Sequence, residues 1–336
     1  MSENKIIRVN FVTEKMVGQG EDAPPLLITK DSVCATGVFD GMGGSGAIIC
    51  NSDYGEGFTK AYVASRIIKQ TVQDFLNNNL GKKEVVVDDL KNAILERLRI
   101  EQEKFPPVSK SILRSKLVRD YPTTMALVTL QKEKNTWQVD SYWAGDSHCY
   151  LWTKDGFFQI SRDDLEEDND PMENLHCDSP ISNCICADRD FYINHLKIEI
   201  PRDEPVIILA ATDGCFGYYP TPMHFEDVIK RTLNGSANEE DWGRKLCEKI
   251  QRVTGDDASL SLIAVDFPSF DALKGWVKST CKGIKQLKNI EEEIQGQQRR
   301  LKQKQEEYKT LQANIWNNYK KEYLRYIKNE DYATNA

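Results

Sequence analysis

Up to Phe267, short apolar runs alternate with amphipathic stretches. Residues 32–39, 125–130, 137–143, 148–152, 191–200, 206–211 and 260–267 are rich in β-branched, aromatic or aliphatic side chains. Each is bounded by Gly, Pro, Asp or Asn, as strands are. Two helices are expected between the first two strands. One spans residues 57–77, with Phe58, Val63, Ile67 and Phe75 near helical spacing; the other spans 88–105, with Leu90, Ile94 and Leu98 four apart. Trp242, Leu246, Ile250 and Val253 mark one face of a third at 239–253. The segment WAGDSHCYLW reads as a hairpin turn joining two adjacent, antiparallel strands. Strands in runs, with helices grouped elsewhere, indicate an α+β layered domain rather than a doubly wound sheet.

The pattern changes at the end of the chain, which divides it into a domain at 1–268 and an extension at 269–336. Leu287, Ile294, Leu301, Tyr308 and Ile315 fall seven apart on one line. The companion line, Ile290, Gln297, Lys304, Leu311 and Asn318, is largely polar, so a full coiled-coil seam is incomplete. A helix over 282–328 would be ~70 Å long at ~1.5 Å per residue. It is either a helical hairpin packed on the domain or a projecting arm for homodimerisation or partner docking.

Composition narrows the function classes. The chain of 336 residues carries a net charge of −8, which disfavours nucleic acid as a partner. The N-terminus lacks the apolar run of an export signal, and no window approaches the ~18 apolar residues of a membrane span. Nine cysteines without a framework spacing read as reduced thiols of a cytoplasmic protein. His176, Cys177, Cys184, Cys186 and His195 lie close in sequence but lack paired CxxC spacing. They read as a loop and a strand with half-buried thiols rather than a zinc site. Residues 165–185 are acidic and read as a flap favouring basic peptides, or as a solvated loop.

The candidate chemistry lies at strand ends. In CATGVFDGMGG a strand runs into Asp40, and in PVIILAATDG another runs into Asp213. In GDDASLSLIAV, Asp256 precedes its strand. If that last strand runs antiparallel to the other two, all three carboxylates reach one rim. Asp146, in AGDS, and Glu21–Asp22 could join them there. Several carboxylates on one rim repel unless cations lie between them. An oxygen-only donor set suits Mg²⁺ or Mn²⁺.

In order, GEDA, VFDGMGG, TTMA, AGDS, ATDG and GDDAS resemble the metal-dependent protein phosphatases of type 2C, from Gly18 to Asp266. VFDGMGG is the most specific of these motifs. The resemblance implies a central β-sandwich of two antiparallel sheets flanked by helices. It implies two Mn²⁺ or Mg²⁺ ions bridged by Asp40, with Asp213 and Asp256 completing one site, and Glu21 and the Gly41 carbonyl helping to form the other. Asp22 would hold metal-bound waters, and Asp146, with Asp213, would support a third, weaker ion. Thr123 and Thr124 match a Thr pair near the site. A metal-activated water would then hydrolyse phosphoserine or phosphothreonine on a phosphoprotein, countering a Ser/Thr kinase.

The chain departs from this family at three places. Val17 stands where many members carry a phosphate-gripping Arg, and Lys15 is the nearest cation. ISRDDL lacks the His that often follows Asp. Tyr121–Pro122 precede the Thr pair where small residues are common. The alternative is a phosphatase-like binding or regulatory module that docks a partner through the C-terminal helix.

Overall fold

The computed structural model describes residues 5–30, 32–81, 85–105, 118–167, 169–177, 179–277 and 283–326. Its strands are β1 (Lys5–Thr13), β2 (Leu26–Lys30), β3 (Val33–Val38), β4 (Ile49–Ser52), β5 (Gly55–Thr59), β6 (Met125–Lys132), β7 (Thr136–Ala144), β8 (His148–Thr153), β9 (Gly156–Gln159), β10 (Asn194–Pro201), β11 (Val206–Ala211) and β12 (Ala258–Phe267). Its helices are α1 (Gly43–Gly46), α2 (Lys60–Asn79), α3 (Val87–Lys104), α4 (Pro171–Asn174), α5 (Asp213–Phe216), α6 (Pro222–Asn234), α7 (Glu239–Gln251), α8 (Phe270–Trp276) and α9 (Ile284–Tyr323).

Two five-stranded sheets, ordered β1-β12-β11-β8-β9 and β10-β7-β6-β3-β2, are antiparallel throughout, and β4-β5 form a separate small ribbon. The sheets face each other, and side-chain alternation explains how. Along β11, Val206, Ile208 and Ala210 enter the core between the sheets with Val38, Val128 and Ile263. Ile207, Leu209 and Ala211 turn the other way, to Phe225, Trp242 and Leu246 of α6 and α7. On the second sheet, Leu127 and Tyr142 pack under Ile67, Leu90 and Ile94 of α2 and α3. With both faces covered, β11 reads as an unbroken apolar run, VIILAA, rather than an alternating one. The architecture is α+β: helices, sheet, sheet, helices.

One expected feature is corrected. WAGDSHCYLW is not a hairpin, because β7 and β8 belong to opposite sheets. Both ladder edges of β7 are already filled by β6 and β10, and those of β8 by β11 and β9. Gly145, at φ 103°, turns the chain from one sheet to the other. The expected strands at 32–39, 125–130, 137–143, 148–152, 206–211 and 260–267 correspond to β3, β6, β7, β8, β11 and β12, and 191–200 overlaps β10.

The chain divides into two compact units, Met1–Thr280 and Cys281–Ala336. α8 belongs to the first, where Leu273 and Val277 join the core beneath α6 and α7. In the second, α9 is one continuous helix of 40 residues, not a helical hairpin. Residues 282, 327 and 328 of the expected helix lie outside the described residues. Only Ile284 of α9 is buried, and Ile294, Leu301, Tyr308 and Ile315 are all exposed. No helix among the described residues is long and apolar enough to cross a membrane.

Candidate metal centre

Four of the expected aspartates meet at one end of the sandwich. β11 and β12 run antiparallel, with Ala211 opposite Leu260, so Asp213 leaves one strand where Asp256 enters the other. β3 delivers Asp40 from the facing sheet, and Asp146 lies in the crossing between sheets. Asp22 is buried; Asp40, Asp146 and Asp213 are half-buried, and Asp256 is exposed. Asp40 is in side-chain contact with both Asp22 and Asp213.

The electrostatics follow from this crowding. Burial, then repulsion from Asp22, Asp213 and Asp146, holds the Asp40 carboxyl well above its usual range. Burial, followed by Asp213 and Asp163, does the same to Asp146. Asp22 is pushed up to about 7, chiefly by burial, against the opposing effect of the Ser259 hydroxyl. Asp213 is raised too, by burial and then by Asp256. Among the described residues no Lys or Arg forms an ion pair with any of these four. Asp22 Oδ1 and Asp146 Oδ1 are buried with no hydrogen-bond partner. Orphaned carboxylate oxygens next to mutually repelling carboxyls suit hard divalent cations. Among the described residues no three such side chains form a finished coordination shell; the carboxyls lie against one another instead. The donor set fits Mg²⁺ or Mn²⁺, with water completing the ligands.

Glu21 occupies the outer edge of this cluster. A Cβ on Gly43 would stand 1.7 Å from Glu21 Oε2, so a larger residue there would displace this carboxylate from the DGMGG turn. Gly41 bridges Thr123, whose hydroxyl donates to the Asp40 carbonyl at 2.6 Å. Thr124 N donates to the same carbonyl at 2.8 Å, so the Thr pair fixes the backbone beneath Asp40. Burial raises the Glu21 carboxyl, the Thr59 hydroxyl opposes this, and Asp257 and Asp256 add repulsion.

Several supporting residues escaped the sequence reading. Asp257 accepts from Lys15 N at 2.8 Å and Glu21 N at 2.6 Å, clamping the loop before Asp22 onto the start of β12. Thr59 donates to Glu21 Oε1 at 2.5 Å, and Arg66 donates to the Gly20 and Glu21 carbonyls. Thr212 and Ser259 both donate to Asp22 Oδ2, at 2.9 and 2.6 Å. The signal for Asp257 was its adjacency to Asp256; Arg66 and Thr59 carried none.

Of the departures noted above, Lys15 lines a groove together with Glu21 and Asp256. In ISRDDL, Asp163 accepts from His148 Nε2 at 2.5 Å, and Asp164 accepts from Gly145 N at 3.0 Å and from the amides of Asn183 and Asn194. Both aspartates therefore brace the turn that carries Asp146. The following acidic segment closes on itself through a bridge between Leu165 and Ile181. Cys184 and Cys186 are buried, Cys177 is exposed, and His195 pairs with Asp140.

A family model described as protein phosphatase 2C matches residues 20–251. The chain belongs to the protein phosphatase 2C family. The match spans Glu21, Asp22, Asp40, Asp146 and Asp213 and stops short of Asp256, whose place rests on its position beside Asp213. Solved structures with the same fold include the serine/threonine phosphatase PstP/Ppp of Mycobacterium tuberculosis, at 15% identity and TM-score 0.53, covering 78% of this chain and 99% of that one. A sex-determining protein of C. elegans matches at 14% and 0.56, covering 82% and 68%. The phosphatase Stp1 of Staphylococcus aureus matches at 16% and 0.52, covering 79% and 97%. No curated protein sequence matches the chain.

Proposed function

We propose that this protein phosphatase 2C member hydrolyses phosphoserine and phosphothreonine on proteins with two divalent metal ions, Mn²⁺ or Mg²⁺. The observation that carries the reading is the convergence of Asp22, Asp40, Asp146 and Asp213 with no Lys or Arg ion pair among the described residues and two orphaned oxygens. Asp40, Asp213, Asp256, Glu21 and the Gly41 carbonyl would hold the two ions. Asp22 would orient bound water, and Asp146 a third, weaker ion. When bound, the ions supply an activated water and charge neutralisation at the phosphoryl oxygens. The chain's own residues hold that geometry: Thr212 and Ser259 fix Asp22, Thr123 and Thr124 fix Asp40, and Thr59 fixes Glu21. Lys15, beside Glu21, would meet the substrate phosphate in place of a bidentate Arg.

A serine/threonine kinase would supply such a substrate. The eight described cysteines are free thiols, which supports a reducing compartment such as the cytoplasm. The test is hydrolysis of a phosphothreonine peptide by wild type and Asp40→Asn, with Mn²⁺, Mg²⁺ or chelator. Metal-dependent turnover that falls at least about a hundredfold in Asp40→Asn is expected. A folded protein that is inactive with every metal yet still binds the peptide would replace the enzyme with a binding module.

A further inference from the structure

The β4-β5 ribbon is inserted between the DGMGG turn and α2, and its base is tied to the candidate metal centre. Lys60 N donates to the Ile48 carbonyl at 2.9 Å, closing the ribbon. Thr59, its last residue, donates to Glu21 and accepts from Tyr62 N at 3.0 Å, which caps α2. Phe58 stacks on Tyr62 with ring centroids 4.1 Å apart, and the Arg66 guanidinium lies 3.3 Å from the Tyr62 centroid. At the tip, Lys104 pairs with Asp53. The ribbon is thus a wall tied at its base to a residue touching Glu21 and at its tip to α3.

The opposite wall is the loop at 15–19, held by the Asp257 clamp and by a turn in which Gln19 N donates to the Met16 carbonyl at 3.0 Å. Between the walls lies a groove of about 630 Å³ lined by Lys15, Met16, Ile49, Phe58, Glu21 and Asp256, among others. That volume is in the range of ligand sites and well above what a phosphate group fills. Its rims are apolar: Ile49 is 67% exposed and Met16 59%. The same lining includes Glu21 and Asp256. A phosphate ester held at those carboxylates therefore leads its peptide chain into this groove.

We propose that this groove selects the substrate segment flanking the phosphorylated residue, taking an extended peptide whose neighbouring side chain is aliphatic or aromatic, seated between Met16 and Ile49. The inference rests on the phosphatase reading. The chemistry of the lining favours this occupant. Apolar side chains on both rims gain by removing an apolar side chain from water. Lys15 is the only cation lining the groove among the described residues, too few for a polyanion.

The test uses the full-length protein and phosphothreonine peptides whose adjacent residues, on either side, are leucine, alanine or aspartate. Wild type favours leucine over aspartate by about tenfold or more in kcat/KM on one side. Ile49→Glu removes or inverts that preference; Ile49→Ser, a milder change at the same exposed position, reduces it. Fluorescence anisotropy with the same peptides carrying a non-hydrolysable phosphonate gives a second readout, in which the dissociation constants shift in the same order. A wild type without leucine preference in both readouts, or an Ile49→Glu protein that keeps the wild-type ratio, overturns the proposal. Hydrolysis of no peptide by wild type removes the phosphatase reading instead, and the anisotropy series still decides the groove.

Discussion

Asp257 has two carboxylate oxygens and each accepts a different backbone N–H, from Lys15 and from Glu21. No other residue type of similar size does this, because an amide offers one acceptor and would turn its own N–H₂ against the second donor. Asp257→Asn should therefore lose one of the two bonds, at a cost of about 1.5–3 kcal/mol for a charge-assisted bond. Urea unfolding measures this directly. The same variant should raise KM for a phosphopeptide more than it lowers kcat, because the loop bearing Lys15 shifts while Asp40 and Asp213 stay in place; an unchanged KM would mean that the clamp is purely structural. Residues of this kind were illegible in the sequence for a physical reason. Asp40, Asp146 and Asp213 stand at strand ends in local motifs, whereas the bond from Glu21 to Asp257 joins positions 236 apart. At Gly214 the missing Cβ, which would stand 1.8 Å from the Asp257 carbonyl oxygen, lets the β11 exit pass the β12 entry.

At the scale of elements, α2 and the segment leading into β6 are joined by a buried ion pair. Lys60, the first residue of α2, pairs with Asp120, and both are nearly inaccessible to water. Gln102 of α3 donates to the second Asp120 oxygen at 2.6 Å, and the Lys60 ammonium lies 4.5 Å from the Tyr121 ring centroid. Tyr121 itself has φ 53°, a left-handed conformation costly to a bulky residue, held because these contacts over-determine it. The strained turn aims the Pro122 carbonyl at Met42 N, 3.3 Å away, and sets the Thr pair under Asp40. This accounts for the departure at Tyr121–Pro122. Asp120→Ala should destabilise the protein by about 3–5 kcal/mol, since it leaves an ammonium buried and unpaired. The double variant Lys60→Met/Asp120→Leu should recover much of that loss by chemical denaturation; equal damage in single and double variants would assign the cost to packing alone. Element types were legible wherever both faces of a strand are apolar or a helix shows one clean face. β1 was overlooked although Ile7 and Val9 alternate with Arg8 and Asn10, because its partner, β12, lies at the far end of the chain. The β7–β8 turn was misread because closeness in sequence suggests a ladder, and a sandwich instead uses short turns to change sheets.

For the whole molecule, the question is where the independently folding unit ends. The composition shift placed the boundary before α8, but Leu273 and Val277 are buried in the core beneath α6 and α7, and the Trp276 ring meets Phe267 at 5.1 Å. A chain ending at Thr280 should match the full-length protein in thermal midpoint and in hydrolysis. One ending at Pro268 should lose more than the ~2–5 kcal/mol expected for truncating one buried Leu. α9 itself carries an apolar row that water does not favour. Leu311, Ile315, Tyr319 and Tyr323 follow at four-residue spacing, all exposed, and Tyr319 and Trp316 both contact Tyr323. A helix with one exposed apolar face gains most of its stability by laying that face on another surface. A second copy of α9 offers the same apolar row. Light scattering should therefore find a dimer for the full chain and a monomer for the chain ending at Thr280. A monomer in both would leave α9 free for a different protein partner, with the phosphatase unit unaffected.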